Sequence, residues 1–128
     1  MPDCQNAIAR QHYPASAAII VLLVLTGFMS LALFSRTEPH PPLEIAPFAL
    51  GPFLGASLAV GSAALYLIGN GVRSGMAVAV VFGVTAMVSF GPQKYLDPAF
   101  SRIWPAMIAA QIAVMVIVVW VITHRRRL

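Results

Sequence analysis

Apolar residues in this chain gather into four long runs, and polar residues are confined to the short stretches between them. Residues 11–35 contain no Lys, Arg, Asp or Glu, and residues 17–34 are Ile, Val, Leu, Ala, Met and Phe with a little Ser, Thr and Gly. A backbone amide left unpaired in hydrocarbon costs several kcal/mol, so a run of this kind is helical unless it closes into a barrel. The alternation of a barrel strand is missing. The pattern predicts an all-α integral membrane four-helix transmembrane bundle, with spans at about 15–34, 47–69, 73–90 and 103–123. The whole chain, 1–128, forms a single transmembrane domain.

The connections have distinct chemistry. Pro39, Pro41 and Pro42 beside Glu38, His40 and Glu44 forbid a regular helix and mark an extended aqueous loop. Pro47 and Pro52 open the second run, where the first helical turn tolerates missing donors. Gly69, Asn70, Gly71 and Gly75 around Arg73 make a tight turn that requires positive φ, so the second and third helices run antiparallel. The third run is the shortest: from Gly75 to Phe90 it reaches only about 24 Å at helical rise, against a hydrocarbon core of about 30 Å, so it must borrow Val72 to Ser74, sit little tilted, or lie where the bilayer is thin. Asp97 as N-cap and Pro98 as first helical residue predict a short interfacial helix before the last span, with Phe100, Ile103 and Trp104 near one face.

Composition sharpens this picture. The chain is 59% hydrophobic and 9% charged, far from the soluble average of about a quarter charged. The net charge of +4 raises the question of nucleic acid, but Arg125, Arg126 and Arg127 directly follow an apolar run and read as a membrane-side anchor. Trp104 and Trp120 are placed to act as interfacial anchors near opposite ends of the last span. The single cysteine, Cys4, excludes an intrachain disulfide and a cysteine-built metal site. The first run exceeds a signal-peptide core and reads as a signal-anchor. With four spans both termini share one side. Arg10, Arg73 and the three terminal arginines lie there, against Arg36, Lys94 and Arg102 opposite, so the positive-inside rule predicts an N-in/C-in protein of a bacterial cytoplasmic (inner) membrane.

Candidate functional residues are few. Gly51, Gly55, Ala59 and Ala63 recur every four residues on the second span, and Gly75, Ala79 and Gly83 do so on the third. Each set gives a flat side for close helix packing, within the bundle or against another protein's helix. Gln111 is the most polar side chain within a span. Ser57, Ser62 and Thr85 are lesser candidates, and all four are read as interhelical hydrogen bonds or, alternatively, as a polar path. No ionisable residue lies within a span, which argues against ion-coupled transport and leaves no nucleophile, base or metal set for catalysis. His12, His40 and His124 fall at or beyond span ends and are expected to be solvated. Glu38, His40 and Glu44 form too weak a set to hold a metal, and no cofactor is expected.

Several small membrane families were weighed against these residues. The first span lacks the embedded Glu of the dual-topology drug exporters, and Val84-Thr85-Ala86-Met87 stands where fluoride channels carry a polar break. The expectation is therefore a small non-enzymatic accessory or scaffolding subunit. It would pack, among membrane lipids, against a larger membrane protein complex, with an energy-converting assembly as one candidate. The alternative is a homo-oligomeric channel or facilitator for a small solute or ion.

Overall fold

The computed structural model describes residues 2–36 and 47–126. Four α-helices dominate: α1 (Pro2–Ser35), α2 (Pro47–Gly69), α3 (Ser74–Phe90) and α4 (Phe100–Arg125), with a 3-10 helix, Pro92–Leu96, between the last two. Candidate spans cover Arg10–Ser35, Phe48–Gly69, Ser74–Leu96 and Phe100–Arg125, so four segments are long and apolar enough to cross a bilayer. This is the form of a multi-pass membrane protein.

The helices make an antiparallel ring in which each packs on the next and α4 closes onto α1. Pairings fix the directions. Gly51 at the start of α2 lies against the ring of Phe34 at the end of α1, and Gly61 meets Leu23 of α1 and Phe82 of α3. The core cluster is built from Ala15, Ala18, Ile19, Leu22, Ala64, Ile68, Ala79, Phe82, Ala86, Ala110, Ala113, Ile117 and Trp120. Alanine is the commonest residue in it. Helices in lipid gain little by hiding hydrocarbon from hydrocarbon, and association comes instead from close backbone approach, which small side chains permit. The bulky residues point outward: Ile20, Val24 and Phe28 on α1, Val80, Val84 and Val88 on α3, and Ile112, Met115 and Val119 on α4 are all exposed. Exposed apolar surface on this scale suits acyl chains and would aggregate in water.

The α2–α3 turn forms as expected. Gly71 takes φ +68, the Val72 amide donates to the Leu67 carbonyl at 2.9 Å and the Gly71 amide to the Ile68 carbonyl at 3.0 Å, a Schellman ending that only glycine enters without strain. Asn70 Nδ2 donates to the Tyr66 carbonyl at 2.7 Å.

Two segments differ from expectation. Helix α1 begins at Pro2, well before the apolar run, and continues through Pro14. Pro14 offers no amide to the Arg10 carbonyl and loosens that turn. The neighbouring Gln11 carbonyl accepts the Trp120 Nε1–H at 3.1 Å, so a contact with α4 supports the helix where its own ladder is weakest. The second difference concerns the short helix expected from Asp97. The short helix is at Pro92–Leu96, upstream of Asp97; Pro98 and Ala99 form a turn, and α4 begins at Phe100. Asp97 still serves the start of α4: its Oδ1 accepts the Ala99 amide at 2.9 Å, and its carbonyl accepts that of Phe100 at 2.9 Å. Helix α3 stays short, at 17 residues, and its last carbonyls, Met87 and Val88, accept hydrogen bonds from Gln93 Nε2 at 3.3 and 2.8 Å.

Candidate functional site

The two small-residue stripes face opposite ways. On α3, Gly75, Ala79 and Gly83 are buried, together with Phe82 and Ala86. A Cβ at Gly75 would stand 3.0 Å from the Ile68 backbone nitrogen, so this stripe lets α3 press on α2. On α2, Gly55, Ala59 and Ala63 are exposed, and a Cβ at Gly55 would meet nothing within 4 Å; only Gly51, under Phe34, is partly covered. The inward face of α2 is Leu54, Ser57, Gly61, Ala64 and Ile68. Its close-contact glycine is Gly61, where a Cβ would fall 2.6 Å from Phe82 Cζ and 2.7 Å from Leu23 Cδ2. Gly61 precedes Ser62 and lies outside the four-residue repeat, so spacing alone did not mark it.

The outward face of α2 also differs from those of its neighbours. Among the described residues of α2, the exposed large side chains are Phe48 and Tyr66, at 83% and 70% exposure, near its two ends. Between them the exposed positions are Ala49, Pro52, Gly55, Ala56, Ala59, Ser62 and Ala63. The result is a smooth strip along one helix, bracketed by two aromatic rings, on a molecule whose other three helices present bulky chains.

The polar candidates are satisfied locally. Tyr95 Oη donates to Gln111 Oε1 at 2.8 Å, and Gln111 Nε2 donates to the Phe90 carbonyl at 3.4 Å, tying α4 to the end of α3. Ser57 Oγ donates to the Phe53 carbonyl at 2.9 Å and Thr85 Oγ1 to the Phe82 carbonyl at 2.8 Å, each within its own helix. Ser62 is exposed on α2. An open, largely hydrocarbon groove of about 550 Å³ runs beside Gln111, Met115 and Trp120 on α4 and Pro14 on α1.

At the end of the bundle shared by the start of α1 and the end of α4, the structure brings together residues that the sequence left apart. His12, Trp120 and His124 form an aromatic triangle with ring centroids 5.6 Å (His12–Trp120), 5.6 Å (His12–His124) and 4.7 Å (Trp120–His124) apart. Both imidazoles are partly buried. His124 Nδ1 lies 3.1 Å from the Trp120 carbonyl. The separation of positions 12 and 124 hid this pair, and only the closure of α4 onto α1 reveals it. Trp120, expected as an interfacial anchor, is 6% exposed and belongs to the core; its indole reaches α1 because the loosened turn at Pro14 presents a carbonyl. Trp104 is half exposed, and Arg125 and Arg126 are exposed.

At the opposite end, Lys94 Nζ stands 3.5 Å from Asp97 Oδ2. The Ala99 amide, with Lys94 in support, holds the Asp97 carboxyl below its ordinary value. Glu38, His40, Glu44 and Arg127 lie outside the described residues. Among the described residues no group of three or more His, Cys, Asp or Glu is placed to hold a metal ion. Compared with protein-family models, curated proteins and solved structures, the chain matches none.

Proposed function

We propose that this chain is a small non-enzymatic accessory or scaffolding subunit that packs its second helix against a transmembrane helix of a larger membrane complex. The observation that carries this reading is the strip on α2 from Ala49 to Ala63, small and exposed where every other helix presents Val, Ile, Leu or Phe. A helix without bulky side chains leaves acyl chains poorly packed, whereas a neighbouring helix can approach it closely and gain dispersion contact along several turns. The partner's complementary surface is a ridge of Leu, Ile or Phe, seated between Phe48 and Tyr66.

The orientation belongs to the same proposal. The end bearing Arg10, Arg73, Arg125 and Arg126 faces the cytoplasm, and the end bearing Arg36, Lys94 and Arg102 faces away, in a bacterial inner membrane. Support for the channel alternative is thin, because the Gln111 amide is engaged by Tyr95 and Phe90 and the buried core is dominated by Ala, Ile, Leu and Phe.

Site-specific photocrosslinking in the native membrane tests the reading. A photoreactive residue at Ala59 should give a discrete protein adduct, and the same residue at Val81, on the bulky face of α3, should give lipid adducts. Lipid adducts alone from both positions would overturn it.

A further inference from the structure

The end of the bundle that carries the described termini holds a pocket of about 350 Å³ whose walls include Gln11, His12, Arg73, Met76, Trp120 and His124. Its chemistry is not explained by packing. His12 Nδ1 and His124 Nε2 are both buried without a hydrogen-bond partner. Each such group costs about 1–3 kcal/mol, so two on adjacent rings beside a pocket point to a polar occupant. The tautomer of His124 follows from geometry: Nδ1 at 3.1 Å from the Trp120 carbonyl must carry the proton, which leaves Nε2 a lone pair until the ring is protonated.

The surroundings choose the sign of the ligand's charge. Arg73 lines the pocket, Arg10 lies two residues before His12 on α1, and Arg125 and Arg126 follow His124 on α4. Among the described residues, Asp97 lies before α4, beyond the far end of that helix from the pocket. Asp3 is about 13 Å along α1 from His12 by helical rise. A cation would sit beside arginine, with no carboxylate among the described side chains to hold it. An anion would be drawn in, would favour protonation of both imidazoles, and would turn the two orphan nitrogens into charge-assisted donors. The volume far exceeds a monatomic ion and suits a phosphate group with its substituent.

We propose that this pocket binds a phosphate-bearing anion, with His12 Nδ1, His124 Nε2 and the Arg73 guanidinium as its donors and Trp120 as its wall. The ligand is either a phospholipid headgroup at the membrane surface or a soluble phosphorylated compound; the phosphate chemistry is common to both. The site is separate from the α2 strip and does not depend on the accessory-subunit reading.

Titration calorimetry on the full chain in neutral maltoside micelles tests the proposal with two probes, inorganic phosphate and dihexanoyl phosphatidylglycerol. Binding of phosphate assigns a soluble ligand, and binding of the lipid alone assigns a headgroup. Either affinity should fall about tenfold or more in Arg73→Gln and in the His12→Gln/His124→Gln double variant. Arg73 is exposed, and its variant should fold as the wild type does; if the double variant does not elute as the wild type does, Arg73→Gln and His124→Gln alone decide. Failure of both probes to bind, or binding undiminished in these variants, would overturn the site.

Discussion

Gly61 and Gly55 share one helix and face opposite surroundings. A side chain at Gly61 would collide with the Phe82 ring and the Leu23 methyl, so Gly61→Val should lower stability by about 1–3 kcal/mol, read as a drop in thermal unfolding temperature in detergent. Gly55→Leu meets open space and should leave that temperature nearly unchanged, within about 0.5 kcal/mol. A one-residue pattern could not separate these cases. In a soluble protein the polar face of a helix reveals which side is out, but lipid is as apolar as the core, and the recurrence of small residues every four positions marks a flat side without saying what it meets. Gln111 was legible as an interhelical bond because a lone amide in a span has few alternatives. Its Tyr95 partner was not, since that contact depends on how the 3-10 helix folds back. Gln111→Leu and Tyr95→Phe should each cost at most about 0.6–2 kcal/mol, and the double variant little more than either, in a thermal-unfolding double-mutant cycle.

At the scale of elements, the four apolar runs, their order and the tight α2–α3 turn could be read from the chain, because backbone satisfaction in hydrocarbon leaves helix as the main choice and Gly71 marks the positive φ. The beginning of α1 and the start of α4 could not. Pro14 is a stop signal by local rules, and it is overridden by the Trp120 indole bonding to the Gln11 carbonyl, a contact across the whole length of the sequence. Asp97 was expected as an N-cap, but it ends the 3-10 helix and the N-cap of α4 is Ala99, whose amide the Asp97 carboxylate accepts. Its carboxyl is held below its ordinary value chiefly by the Ala99 amide, so its contribution is fully present above the ordinary carboxylate range and is lost as pH falls through the lower folded-state value. Protection of the amides at the start of α4, after correction for the intrinsic pH dependence of exchange, should accordingly fall on acidification through that window. In Asp97→Asn, which cannot titrate, this pH step should be absent.

For the whole molecule, a core rich in alanine with bulky chains outward on α1, α3 and α4 follows from a solvent that rewards close backbone contact over the burial of hydrocarbon, and α2, with its small residues outward, is the exception. Orientation follows from the arginines rather than from the fold. Cys4 is the chain's single cysteine, and it supplies a natural test of the proposed orientation: an impermeant maleimide should label it only after the membrane is permeabilised, and labelling of intact spheroplasts would reverse that proposal. The histidine pair and the exposure of the α2 strip are properties of the closed ring, visible only once α4 meets α1 and α2 turns Gly61 inward. The claim on which the functional account turns is that the α2 strip binds another protein's helix. The most direct test is purification in gentle detergent from native membranes of the wild type and of Gly55→Leu, with native mass spectrometry of each. The account predicts that the wild type carries a defined larger partner in fixed ratio, and that Gly55→Leu is recovered alone with an unchanged unfolding temperature. Retention of the partner by Gly55→Leu, or a wild type that comes out as a lone chain, would contradict it.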